Sequence, residues 1–222
     1  LYSLLKNTTA SNNIAVGNNA LSENTTGSNN AAVGYESLQN NNTSNNTALG
    51  YQSLKANTTG DHNAAVGTNS LDANTTGAAN SAVGSFSMSG NTSGSNNAAF
   101  GTSALANNTT AGNNSAFGRS ALQANTTGGF CVAVGANALD ANTTANNNVA
   151  VGYNALTGNT TGTSNVGIGT AALANSTTAS DNTAVGHGAL ESNTSGAEQV
   201  AVGSIALDNN TTGTVNTALG YG

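Results

Sequence analysis

The chain has 222 residues and a net charge of −6, with 5% charged and 4% aromatic residues, no proline and one cysteine. Three cations are too few for a surface that holds nucleic acid or an anionic membrane, and a single cysteine excludes an intrachain disulfide. Without a pattern, a composition this rich in Asn, Gly, Ser and Thr would read as a low-complexity chain that does not fold.

A pattern is present. Glycine returns every 17 residues, at Gly17, Gly34, Gly50, Gly67, Gly84, Gly101, Gly118, Gly135, Gly152, Gly169, Gly186, Gly203 and Gly220, with one step of 16 from Gly34 to Gly50. Four residues before it stands Asn, from Asn13 to Asn216, replaced only by Cys131 and Gln199. Directly before it comes a large apolar residue (Val16, Leu49, Phe100, Ile168), itself preceded by Ala in every unit but that of Gly167. After the glycine follow two variable residues, then Ala or Ser, then Leu or, once, Met88, and the unit closes on Asn-Thr-Thr-Gly or a close variant such as Ser176-Thr177-Thr178-Ala179. A disordered chain has no reason to keep this phase.

Each unit therefore predicts two short strands, around Ala-Val and Ala-Leu, and a corner at Asn-Thr-Thr-Gly. Helical repeats need about 30 residues or more, and a strict period in this shorter range marks a stacked solenoid. The expected fold is all-β: a parallel β-solenoid (β-roll or β-helix) of 13 coils with a 17-residue period, with residues 1–222 forming one repetitive segment. Thirteen coils at about 4.8 Å each give a length of roughly 60 Å. Both ends fall in mid-unit without a cap, which reads as an excerpt of a longer fibre.

Stacking accounts for the composition. Each side chain lies on its counterpart one coil away, so a charge in the motif would face a copy of itself; Glu191 and Asp208 are the like-charged neighbours that occur. Stacked Asn amides donate and accept, and can carry hydrogen bonds from coil to coil. Two such ladders are expected, one before the Ala-Val strand and one at Asn-Thr-Thr. The core of a coil reads as a Val, a Leu and two Ala, thin for a free-standing solenoid. Because adjacent residues of a strand face opposite ways, restriction of both Ala and Val points to burial on two faces, one inside the coil and one against another chain, and so to a parallel homo-oligomer.

Asn46-Thr47-Ala48-Leu49-Gly50-Tyr51-Gln52-Ser53-Leu54 and Asn148-Val149-Ala150-Val151-Gly152-Tyr153-Asn154-Ala155-Leu156 resemble the repeat units of bacteriophage tail-fibre and bacterial surface-fibre proteins, and are similar to the head repeats of trimeric autotransporter adhesins. The resemblance runs through the whole chain. It implies trimeric β-rolls with an extracellular, cell-surface or virion location, and the role of a non-enzymatic fibre shaft, a rigid spacer in surface attachment. The adhesin unit is shorter than 17 residues, and its Val and Ile share a face where Ala precedes Val here. The added length falls at Asn-Thr-Thr-Gly and predicts an extra corner.

Nothing in the sequence points to catalysis, a cofactor or a metal. His62 and His187 lie in different columns seven coils apart. Cys131 occupies an Asn-ladder position and reads as a buried neutral substitution, with an interchain bridge as the alternative. The many Asn-x-Ser/Thr sequons, from Asn7 to Asn210, read as a turn ladder rather than as glycan acceptors. Recognition would fall to the variable residues after the glycine, which hold the candidate contact residues Tyr35, Tyr51, Phe86, Tyr153 and Tyr221. Exposed Tyr can stack on sugars, so host-surface glycans are candidate partners. A second ligand-binding alternative is ice, held by a column of Thr; on a strand, however, Thr-Thr would place only one hydroxyl on each face.

Overall fold

The structure, a computed structural model, describes residues 2–222. They form no helix, and each repeat contributes one three-residue strand ending just before the recurring glycine. The chain divides into two compact units, Leu1–Gly112 and Asn113–Gly222. The first contains β1 (Ile14–Val16), β2 (Ala31–Val33), β3 (Thr47–Leu49), β4 (Ala64–Val66), β5 (Ser81–Val83) and β6 (Ala98–Phe100). The second contains β7 (Ser115–Phe117), β8 (Val132–Val134), β9 (Val149–Val151), β10 (Val166–Ile168), β11 (Thr183–Val185), β12 (Val200–Val202) and β13 (Thr217–Leu219).

Within each unit the strands pair in parallel and in chain order, like column on like column: Ala15 against Ala32 and Val16 against Val33 in the first, Ala133 against Ala150 and Val134 against Val151 in the second. The chain is thus an all-β parallel β-solenoid with the 17-residue period of its sequence. Register survives the 16-residue step, where Ala31 still faces Thr47. Thr43 takes the place of the corner glycine there, stacking on Gly27, so the position lost is one of the two between the corner Asn and Gly. Thr43 O accepts from Asn30 Nδ2 at 2.8 Å, as Gly27 O accepts from Asn13 Nδ2 at 2.8 Å. Asn42 Oδ1 takes the Thr25 hydroxyl at 2.8 Å, the role that the Thr75 carbonyl plays for Thr58 at 3.0 Å.

The second expected strand does not form. Around Ala-Leu the backbone makes three overlapping turns, shown by Ser53 N to Gly50 O (3.5 Å), Lys55 N to Gln52 O (3.3 Å) and Asn57 N to Leu54 O (3.2 Å). Gln52 and Leu54 hold the third position of the first two turns with φ of 54° and 52°, the left-handed value that such turns need. A non-glycine residue there costs roughly 1–2 kcal/mol, whereas full burial of Leu is worth about 1.5–3 kcal/mol. Burial wins. Leu21, Leu38, Leu54, Leu71 and their counterparts are fully buried and supply the largest apolar side chains of the interior.

The recurring glycine joins strand to turns. Gly67 has φ +135°, and a Cβ on it would lie 2.5 Å from Gly84 O in the next coil. A side chain here would therefore crowd the next coil, at the join between a strand and a run of turns.

The core also differs from expectation. The middle Ala of each strand points inward, with Ala32, Ala65, Ala133 and Ala150 fully buried, while the large residue beside it points outward, Leu49 being 47% and Phe100 39% exposed. A three-residue strand has only one inward position, and the narrow coil interior, already filled by Leu, takes the smaller side chain. Strict Ala thus reflects the coil interior and gives no sign of a second chain. The interior is completed by Asn rather than by Val.

Candidate functional site

The two Asn ladders form as expected, and both are internal. In the corner ladder Asn57, Asn74, Asn91 and Asn108 are fully buried. Asn74 Nδ2 donates to Asn57 Oδ1 at 2.9 Å and to Gly77 O at 3.0 Å, and Asn91 Nδ2 donates to Asn74 Oδ1 at 2.8 Å. In the ladder before the strand, Asn63 Oδ1 accepts the backbone N–H of Asn80 at 3.0 Å, while Asn63 Nδ2 donates to Gly77 O at 2.8 Å. Gly77 O joins the two ladders inside the coil. The sequon asparagines of the ladder from Asn24 to Asn193 are buried, as the ladder reading requires, while Asn7 and Asn42 are exposed.

The exceptions show what each column needs. Cys131 is buried, and its Sγ lies 3.4 Å from Ala145 O, the carbonyl that an Asn Nδ2 would reach. Burial pushes its thiol pKa up. Gln199 is long enough to cross to the corner ladder, donating to Asn193 Oδ1 at 3.1 Å and accepting from Asn210 Nδ2. Ser176 is too short. Its Oγ and the Oδ1 of Asn159, which would meet an amide donor from this position, are both buried without a partner.

Outside, each coil offers three surfaces. The strand face shows the large apolar column, including Val33, Leu49, Val83 and Phe100 in the first unit and Phe117, Val134 and Ile168 in the second. The corner shows both Thr residues: in Asn74-Thr75-Thr76-Gly77 the Asn and Gly are buried, Thr75 is part-exposed and Thr76 exposed. This corrects the expectation of one hydroxyl per face, because the pair lies in a bend and not on a strand. Within the column the first hydroxyl is committed, Thr75 Oγ1 donating to Thr92 O at 3.0 Å.

The third surface carries the variable residues. Tyr35 and Tyr51, in adjacent coils, stack with ring centroids 5.4 Å apart and planes 10° from parallel. Beside them Glu36 accepts from Lys55 Nζ at 2.6 Å and from Gln52 Nε2 at 2.8 Å. The bond from Lys55, then that from Gln52, holds the Glu36 carboxyl below its ordinary pKa, and the same pairing lifts that of Lys55. A hydrogen bond to Glu36 raises the Tyr35 phenol. Of the other candidate contact residues, Phe86, Tyr153 and Tyr221 are exposed and join no such cluster among the described residues. Sequence reasoning found the two rings but not the polar set beside them. The signal was there in the spacing: Glu36, Gln52 and Lys55 lie two and five positions after successive glycines, which the stack brings together.

His62 lies beside Asp61, Nδ1 to Oδ2 3.3 Å, and His187 is exposed. No three His, Cys, Asp or Glu side chains converge as metal ligands among the described residues. Among them, too, no helix is long and apolar enough to cross a membrane. Compared with family models, curated proteins and solved structures, the chain finds no match.

Proposed function

We propose that the chain is a structural, non-enzymatic segment: the shaft of an extracellular, cell-surface or virion fibre, acting as a rigid spacer in surface attachment and associating as a parallel homotrimer. The observation that carries this reading is the outward apolar column of the strand face. The position before the glycine is Val, Leu, Ile or Phe in all 13 repeats, and in the structure it is the outer side chain of the strand. A uniform apolar stripe in contact with water is costly. A surface that repeats once per coil is matched along its length by another with the same repeat, and a parallel copy of the same chain supplies one. The internal Asn ladders support the spacer role, since they tie each coil to its neighbours without a binding partner.

Light scattering on the purified chain tests the association: a particle of three times the 21.5 kDa chain mass is expected, and Leu49→Lys with Val83→Lys should release monomers that keep their β signal. A wild-type monomer would sink the trimer.

A second reading, ice binding, is favoured by the exposed Thr pair at the corner. Thermal hysteresis and ice shaping measured on the same material decide it, and plain ice growth removes it.

A further inference from the structure

Among the described residues four buried side-chain oxygens lack a partner, those of Asn69, Asp72, Asn159 and Ser176. The last two have an internal cause, the short Ser176 in the corner ladder. Asn69 Oδ1 and Asp72 Oδ1 have none. Both lie in the coil that follows Tyr51: Asn69 continues the column of Glu36 and Gln52, and Asp72 that of Lys55. That column step is bonded, Asn69 N donating to Tyr51 O at 2.9 Å. Burial, the largest influence on Asp72, raises its pKa, opposed by the backbone N–H groups of Asp72 and Ala73 and, least, by Lys55.

The Tyr51 ring is stacked on Tyr35 on one side. Its other face looks toward the next coil, where the same column holds the short, exposed Thr68. Two aromatic rings, an ammonium, a carboxamide and two acceptor oxygens lacking donors thus fall in neighbouring columns of three adjacent coils, in a chain that is otherwise poor in charge and in aromatics.

We infer that the open face of Tyr51, with Asn69, Asp72 and Lys55, is a binding site for a neutral pyranose unit of a glycan. The axial C–H face of a pyranose suits the electron-rich face of a phenol. Its hydroxyls are donors for the Asn69 and Asp72 oxygens, both on part-exposed residues. An unpaired buried acceptor is costly, so an arriving donor is rewarded. Lys55 spends one of its three N–H groups on Glu36 and keeps the others for sugar oxygens. Glu36 neutralises the ammonium, and the chain carries −6 overall, which selects against an anionic sugar.

The test is an NMR titration of the full chain with methyl β-D-glucopyranoside, methyl β-D-galactopyranoside and methyl α-D-mannopyranoside, following the Tyr51 ring and the Asn69 side-chain amide. Saturable shifts of both with at least one sugar are expected. Tyr51→Thr places in this column the residue found at Thr68 and so keeps the fold; it should weaken binding about tenfold, the worth of one good aromatic contact. Asp72→Ala should weaken binding severalfold, and Tyr153→Thr should leave it unchanged. No saturable shift with any of the three sugars, or undiminished binding by Tyr51→Thr, overturns the inference. The mass of the particle is read separately, so failure here leaves the fibre reading untouched, and the converse also holds.

Discussion

The strand and the Asn corner of a coil do the same job, joining one coil to the next, yet their sequences behave differently. Along the strand the backbone pairs with itself, as Ala31 to Val33 do with Thr47 to Leu49, so the first strand position need only be uncharged, while the outward residue before the glycine stays large and apolar. The position three before the glycine drifts among Ile14, Ala31, Thr47, Ser81 and Val132. At the corner the side chain is part of the ladder, and the residue is Asn in every coil but one. At that first position, where the backbone satisfies itself, the sequence is free to vary; where a buried corner side chain must donate and accept in both directions, only an amide of one length serves. Ser176 marks the cost of departure, leaving two buried oxygens unpaired.

The largest effect should come at the join that ends the strand. Gly67→Ala sets a Cβ 2.5 Å from Gly84 O at φ +135°, combining backbone strain with overpacking, together about 4 kcal/mol. Urea unfolding should show this loss, and a change below about 1 kcal/mol would mean that the coils can spread. Next comes the ladder itself. Asn74→Leu leaves Asn57 Oδ1 without its donor and takes one of two partners from both Asn91 Nδ2 and Gly77 O, for about 2 kcal/mol, within the cost of one buried orphan. Hydrogen exchange should rise first at Asn91 and Asn57.

Repair gives a smaller effect of opposite sign. Ser176→Asn offers Asn159 Oδ1 its missing donor and should stabilise by about 1 kcal/mol, seen as a higher urea midpoint with an unchanged slope. Destabilisation would show that the corner there is too tight for an amide. The smallest effect belongs to the strand face: Val83→Thr should change the stability of an isolated chain by less than about 0.5 kcal/mol. A larger loss that grows with protein concentration would reveal a copy covering that face.

Much of this was legible from the repeat. Phase alone predicted a parallel β-solenoid with two Asn ladders, because stacking turns each sequence column into a spatial one. The candidate contacts Tyr35 and Tyr51 were legible for the same reason, being 16 residues apart across the short step. Less legible was which way each column points. Ala and Val are both apolar and both restricted, so only the width of the coil, filled by Leu54 and its counterparts, decided that Ala goes inside and Val outside. The turns replacing the second strand were hidden by leucines held at φ near +52°, a conformation that Leu adopts only when burial outweighs strain. The orphan oxygens of Asn69 and Asp72 belonged wholly to tertiary structure, because a missing partner is a fact about neighbours. The sequence by itself determined the rung and its period, since a 17-residue unit repeated in register leaves stacking as the one way to pair its backbone. Only the folded coil decided which side chains meet water, since facing direction depends on the space enclosed and not on the residue type alone.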